Sequence, residues 1–384
     1  MAAAHSQIRH PWTLALFMLL TIGSAQASGA AQAVYVWQRD WNPALIAALH
    51  DHQHSFDRIH YLAGQWNANG TWIWARTDPA LLATLASRAL PVFRINGRTR
   101  PDSRVIANIA KYMQTHPALK GVEIDYDCAT AQLPAYTDFL RQLRLSLKLP
   151  ITITALPDWL HSGSLTELLL QADNSVLQVH GVLPPGSALF DPVQAAQWVK
   201  AYAARTPRPF LVALPTYGIG LHWRDGRVLV EAEQSLAIGE AEQSVAVDPG
   251  QIQAWTQSLP TYPNLAGFIW FRLPTAQDQK AWSMATLETV MNGRYQAPSI
   301  VLHGAAVSAT TFDLVLQNNA DVDAMLPLQA TLAGCTAGDG TNWYQQNNSP
   351  AGLHITLNQP GLLHGKTSIV IGWARCKGEP HGRF

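Results

Sequence analysis

Gly121-Val122-Glu123-Ile124-Asp125-Tyr126-Asp127-Cys128 alternates acidic with apolar or aromatic residues. As a β-strand it sends Glu123, Asp125 and Asp127 to one face and Val122, Ile124 and Tyr126 to the other. Like charges at such range raise one another's pKa, so a strand kept only for structure has little reason to hold three. An edge strand with a solvated acidic face is the alternative, but the wholly apolar opposite face speaks for a strand buried on that side. Crowded carboxylates are a means of keeping one acid protonated near neutral pH, which points to acid/base chemistry.

Outward from this strand the chain repeats one rhythm from Ala33 to about Gly293: a short apolar strand, a polar turn, an amphipathic helix. The pattern predicts strands at 33–37, 58–63, 90–95, 121–127, 151–156, 175–180, 210–215 and 267–273. It predicts helices at 43–50, 79–88, 103–115 and 133–147, with Pro43 and Pro79 in first turns capped by Asn42 and Asp78. Such alternation implies parallel pairing, and eight units over this length fit an α/β fold of the (β/α)8 TIM-barrel type. An open doubly wound sheet is the alternative, but no glycine-rich phosphate turn follows the first strand. Between the seventh and eighth strands, 220–231 reads as a hairpin turning at Asp225-Gly226, positioned to wall a cleft. From about Ser299 short alternating runs between Gly, Asn and Pro clusters predict a small β-sandwich. The expected domains are the barrel at 28–295 and the sandwich at 296–384.

Residues 1–27 have the form of a removable leader. Arg9 and His10 precede the apolar run Trp12–Ile22, and Ala25-Gln26-Ala27 precedes Ser28. The run is short for a membrane span, so no stable span is expected once it is removed, and the expected location is periplasmic or secreted. In that setting Cys335 and Cys376 form the natural disulfide, which leaves Cys128 as a buried thiol. No CxxC or HExxH spacing suggests a metal, and no cofactor motif appears. Of the 384 residues only 14% are charged, and Lys plus Arg equals Asp plus Glu at 26 each. Bulk charge therefore gives no pull toward nucleic acid or anionic membrane. The 14 Trp residues suit flat amphipathic ligands such as sugars, or an aromatic-rich core.

The acidic strand, with Lys120-Gly121-Val122-Glu123-Ile124-Asp125-Tyr126-Asp127, resembles the Asp-Gly-x-Asp-x-Asp-x-Glu signature of family 18 glycoside hydrolases, the chitinase family. Arg94-Ile95-Asn96-Gly97, Leu214-Pro215-Thr216-Tyr217-Gly218 and Gly267-Phe268-Ile269-Trp270 resemble its third, seventh and eighth strands in order. The whole chain, with Ala155-Leu156-Pro157-Asp158-Trp159 and Gln178-Val179-His180-Gly181, is similar to an exported, barrel-shaped bacterial family described only as a domain of unknown function. The resemblance implies a glycoside hydrolase acting on a polysaccharide or oligosaccharide, with N-acetyl sugars among the candidates. Its general acid, a Glu in the family, corresponds to Asp127. The family's outer aspartates become Lys120 and Glu123, and its sixth-strand Met-x-Tyr has no clear match.

On this basis Asp127 is the candidate general acid and Asp125 its helper. An ion pair between Asp127 and Arg94 is the structural alternative. Glu123, Gln178, His180, Tyr217, Trp270, Arg94 and Arg272 are candidates for binding substrate. For Glu123 a buried, partnered carboxylate is the competing role; for Tyr217 and Trp270 it is barrel core. Trp37, Trp66 and Trp159 also follow strand ends. Two functions remain open: a glycoside hydrolase, or a non-catalytic carbohydrate-binding or scaffold protein that keeps the cleft.

Overall fold

A computed structural model describes residues 29–181, 188–231, 243–349, 352–380 and 382–384. The expected leader at 1–27 and the expected mature start at Ser28 lie outside the described residues.

Eight parallel strands close into a barrel: β1 (Ala31–Val36), β2 (Arg58–Trp66), β3 (Ala89–Ile95), β4 (Val122–Tyr126), β5 (Ile151–Ala155), β6 (Asn174–Gln178), β7 (Phe210–Pro215) and β8 (Leu265–Phe271). Neighbours follow chain order, and β1 closes the ring by pairing with both β2 and β8. A helix lies between each strand and the next, and the last follows β8: α1 (Pro43–His52), α2 (Pro79–Leu85), α3 (Ser103–Thr115), α4 (Leu133–Leu147), α5 (Leu165–Leu170), α6 (Pro192–Ala203), α7 (Pro249–Ser258) and α8 (Met284–Met291). Four of them begin on one local device. Asn42-Pro43, Asp78-Pro79, Asp191-Pro192 and Asp248-Pro249 each put a side-chain acceptor on an unsatisfied first-turn N–H, followed by a ring already at helical φ.

Strand alternation divides the barrel into two zones. Outward residues such as Ile124, Tyr126, Ile153 and Val212 pack beneath the helices in the main core. Inward positions carry a small apolar plug of Ala33, Val92, Val176, Ala213 and Ile269, with the acidic residues of β4 beside it. The strand β2 runs three residues beyond the expected Ala63, because Trp72–Trp74 pairs back on it in antiparallel fashion. Gly64 permits that return: a Cβ there would lie 2.7 Å from the Trp74 ring.

The hairpin after β7 forms as expected from Ile219–Arg224 and Arg227–Glu231. Asp225 and Gly226 both take positive φ (50° and 69°), the geometry of a tight two-residue turn matched to strand twist. Beyond α8, one four-stranded antiparallel sheet (Ile300–Ala306, Thr311–Asn318, Ser368–Cys376, Cys335–Gly340) faces a second sheet built around Gly352–Leu357. Leu314, Leu316 and Ile371 of the first meet Leu332, Leu353 and Ile355 of the second in a core of their own. Cys335 and Cys376 are disulfide-bonded at paired positions of neighbouring strands, and Cys128 is a buried free thiol pushed up to about 12 by burial.

The sandwich is tied to the barrel through Asp323. Its fully buried carboxylate accepts the N–H of Ser283, the cap of α8, at 2.6 Å and the N–H of Gly365 at 3.1 Å, and pairs with His364 at 3.2 Å. Burial alone pushes the Asp323 carboxyl up, but His364 and those N–H groups outweigh it and hold it below the usual range. Its partner His364 is raised in turn, first by the hydrogen bond to Asp323.

Among the described residues no helix is long and apolar enough to cross a membrane, a statement that leaves strands aside.

Candidate active site

The C-terminal ends of the barrel strands, where barrel enzymes carry their chemistry, surround a pocket of about 130 Å³. Asp125 projects inward from β4, and Asp127 follows one residue beyond the strand's end. Tyr35 and Trp37 enter from β1, Arg94 from β3, Thr154 from β5, Gln178 and His180 from β6 and the turn after it, Tyr217 from the segment after β7, and Phe271 from β8. The loop after β3 lies close against this acidic end. A Cβ at Gly97 would sit 2.0 Å from the Asp127 carbonyl oxygen, so only glycine fits there.

Burial divides the labour between the two aspartates. Asp125 is 4% exposed, whereas the side chain of Asp127 is 35% exposed. The Asp125 carboxyl is pushed well above the usual carboxylate range, first by burial and then by the neighbouring Asp127 charge; Arg94 opposes the shift, while Glu123 and a hydrogen bond to Asp127 add to it. The raised carboxyl is the buried one. Arg94 reaches both, with Nη2 3.3 Å from Asp127 Oδ2 and Nε 3.6 Å from Asp125 Oδ2, and its guanidinium lies 5.7 Å from the Trp37 ring centre. The ion pair weighed as the structural alternative is thus present. Asp127 Oδ1 is buried and meets no hydrogen-bond partner among the described residues.

Among the described residues the opposite wall carries His180, Tyr217, Gln178 and Phe271. Burial lowers His180 to about 3, so near neutral pH its ring is uncharged. The Tyr217 hydroxyl lies 3.4 Å from His180 Nδ1 and is pushed up to about 12 by burial, so it remains a phenol. Gln178 donates to the His180 carbonyl at 3.1 Å, and Phe271 packs against His180, Tyr217 and Trp37.

Of the residues singled out from sequence, Asp125, Asp127, Arg94, Gln178, His180 and Tyr217 come together here. Three do not line the pocket. Glu123 is fully buried beneath it and accepts hydrogen bonds from Tyr35, Thr154 and His60. Trp270 points outward from β8, 1% exposed, against Phe268 and Trp282, with its Nε1 donating to Gln32. Arg272 is buried, bonds to Asp278 at 2.5 Å and lies 5.3 Å from the Tyr217 ring centre, which it props from behind. Trp66 and Trp159 are also core residues, and no residue of the hairpin after β7 lines the pocket. Tyr35, Thr154 and Phe271 were not singled out; the alternation Ala33-Tyr35-Trp37 was a signal for the first of them.

The barrel is similar in fold to those of several solved bacterial enzymes. A chitinase from Chromobacterium violaceum aligns with 15% identity and a TM-score of 0.52, covering 70% of this chain and 99% of its own. The spore cortex-lytic enzyme SleL of Bacillus cereus aligns with 14% identity and a TM-score of 0.50 over 70% of this chain and 75% of its own. SleL from Bacillus megaterium gives 11% and 0.51 over 70% and 74%. At such identities the likeness shows the fold. More particularly, residues 87–276 match the model of a domain of unknown function, DUF3142, and residues 303–377 match a second, DUF8456. The first spans β3 to the end of β8 and the second falls within the sandwich. No curated protein matches the chain.

Proposed function

We propose that this chain is an exported glycoside-hydrolase-like protein, a barrel at 28–295 followed by a sandwich at 296–384, whose pocket takes one sugar ring of a polysaccharide. The observation that carries this reading is the pair Asp125–Asp127 at the C-terminal mouth of the barrel, one carboxyl buried and proton-holding, the other half-open and beside it. Trp37, Tyr217 and Phe271 supply apolar faces of the kind sugar rings stack on. In this scheme Asp127 gives a proton to the glycosidic oxygen and Asp125 passes its own proton toward Asp127, while Arg94 steadies the charge left behind. Among the described residues the pocket lining offers no carboxylate besides these neighbours to act as a nucleophile. A reaction here draws its nucleophile from the substrate, and the acetamido group of an N-acetyl sugar is the group able to serve. The leader-like 1–27 and the disulfide support export.

Arg94 favours a second reading, in which the cleft binds carbohydrate without cleaving it. An Asp127 held by Arg94 is a settled ion pair, and Asp is one methylene, about 1.5 Å, shorter than Glu. A displacement near 1 Å at a reacting centre costs on the order of a hundredfold in rate. The test is a panel of bacterial polysaccharides, N-acetylated and not, scored for both binding and released product. Product from an N-acetylated member supports the first reading and binding without product the second. Binding to none sinks both.

A further inference from the structure

The same barrel holds a second cavity, about 230 Å³, at its opposite mouth. It is lined by the beginnings of the strands, where small residues (Ala31, Ala33, Ala266) leave space beside Thr152, Asn174 and His60. Between the two cavities lies Glu123. Its Oε1 accepts the Tyr35 hydroxyl at 2.5 Å and the Thr154 hydroxyl at 2.8 Å, and its Oε2 accepts His60 Nδ1 at 2.5 Å. Tyr35 and Thr154 line the upper pocket and His60 lines the lower one, so a single run of contacts joins the two mouths. His60 is 2% exposed, and its Nε2 meets no hydrogen-bond partner among the described residues.

A buried carboxylate–imidazole pair is a costly way to fill a barrel, since apolar side chains of the same volume do as well or better for stability. An unpartnered buried nitrogen adds to that cost. The arrangement makes sense if the nitrogen has work to do. With Nδ1–H given to Glu123, Nε2 of the neutral ring is a proton acceptor, and the residue that carries it lines a space large enough for water.

We propose that His60 is a positioning residue for the Asp125–Asp127 pair, acting through Glu123 and exchanging a proton at Nε2 with water in the lower cavity. The step moves one proton and no electrons: a hydronium ion in the cavity gives its proton to Nε2 and is left as water, the Nδ1–H stays on the ring, hydrogen-bonded to Glu123, and the ring becomes a cation. The Glu123 charge that helps keep the Asp125 proton in place is then offset, and Asp125 ionises more readily. When His60 gives the proton back, Asp125 holds its own more firmly. The groups facing the His60 ring are Glu123 and Tyr35, with Asp57 and Arg58 on the lower cavity; those facing Asp125 are Asp127, Arg94 and Glu123. The importance of this device rests on reading the aspartate pair as the site's acid, but its test needs no substrate, so failure of turnover and failure of the coupling are read separately.

The experiment is a carbon-13 NMR titration of the folded chain, following the Asp125 carboxyl (assigned with Asp125→Asn) and the His60 ring. In the wild type the Asp125 curve should show an inflection at the His60 midpoint. His60→Asn keeps an N–H for Glu123 and has no second ring nitrogen. In that variant the inflection should vanish and the Asp125 midpoint should rise by about 0.5 pH unit or more, the sign expected when a nearby positive charge is removed. Superposable Asp125 curves in the two proteins would overturn the proposal. If His60→Asn does not fold, the wild-type curves decide alone: an Asp125 titration with no feature at the His60 midpoint refutes it.

Discussion

Replacing Asp127 by Asn separates the catalytic from the binding reading, because the structure lets the cost to folding be bounded in advance. The substitution keeps the side chain's size and removes its charge and its proton. What it removes from the fold is the pairing with Arg94 at 3.3 Å, and both side chains are about a third exposed, 36% and 35%. Pairs so open to solvent contribute about 0–1 kcal/mol, so the variant should unfold within a few degrees of the parent. The loss of acid catalysis is a different scale of effect: turnover should fall by roughly 10²–10⁴-fold, equivalent to about 3–5 kcal/mol of barrier. Asp125→Asn removes the proton-holding partner. Turnover should fall there too, and the limb of the pH profile that reports the coupled pair should move. The assay is product release from whichever N-acetylated substrate the panel identifies, with binding by calorimetry and thermal unfolding run on the same samples. Binding should persist in Asp127→Asn. A wild type that cleaves, with an Asp127→Asn variant that cleaves equally well, would refute the assignment of the acid.

Phe271→Ala should weaken oligosaccharide binding, because it removes an apolar wall of the pocket, whereas Trp270→Ala should lower stability by about 3–5 kcal/mol through a cavity in the outer core. Isothermal binding and denaturant melts on both variants check the division, and a Trp270→Ala protein that is stable but binds poorly would reverse it. Opening the Cys335–Cys376 bridge, which closes a 41-residue separation, should destabilise the sandwich by about 4 kcal/mol on chain-entropy grounds; melts of Cys335→Ala/Cys376→Ala against the parent measure it. The Asp323–His364 tie should show in the pH dependence of unfolding. Asp323 is held below its usual range, so its contribution is present above about pH 4 and lost as pH falls through the lowered value; His364 is raised, so its contribution is present below about pH 6.5 and lost as pH rises through the raised one. The gap in Tm between the parent and His364→Asn should be widest between those limits, and a gap independent of pH would contradict the pairing.

How much of the site was legible depends on which strands carried a mark of phase. A barrel strand is buried on both faces, one under helices and one toward the interior, so its hydrophobicity has no period of two to follow. In β4 the charges break that symmetry, and Glu123, Asp125 and Asp127 could be put on one face from sequence alone. The strand β8 offers no such mark: Phe268, Ile269, Trp270 and Phe271 are all apolar, and the resemblance of Gly267-Phe268-Ile269-Trp270 to the family's eighth strand pointed to Trp270, while the pleat turns Ile269 and Phe271 inward. Depth along a strand was equally hidden. Alternation makes Asp125 and Asp127 equivalent, but β4 stops at Tyr126, so Asp127 stands in the mouth and Asp125 below it, where burial is the first cause that pushes its carboxyl up. The partners of Glu123 lay furthest from view. His60 sits on β2, two strands from β4 around the ring, and Tyr35 on β1 is three away, so their meeting depends on the closure of the barrel and on the small side chains that let their groups cross its interior. A carboxylate can be read from a strand, but the charge it carries in the fold depends on what the closed barrel brings across to it.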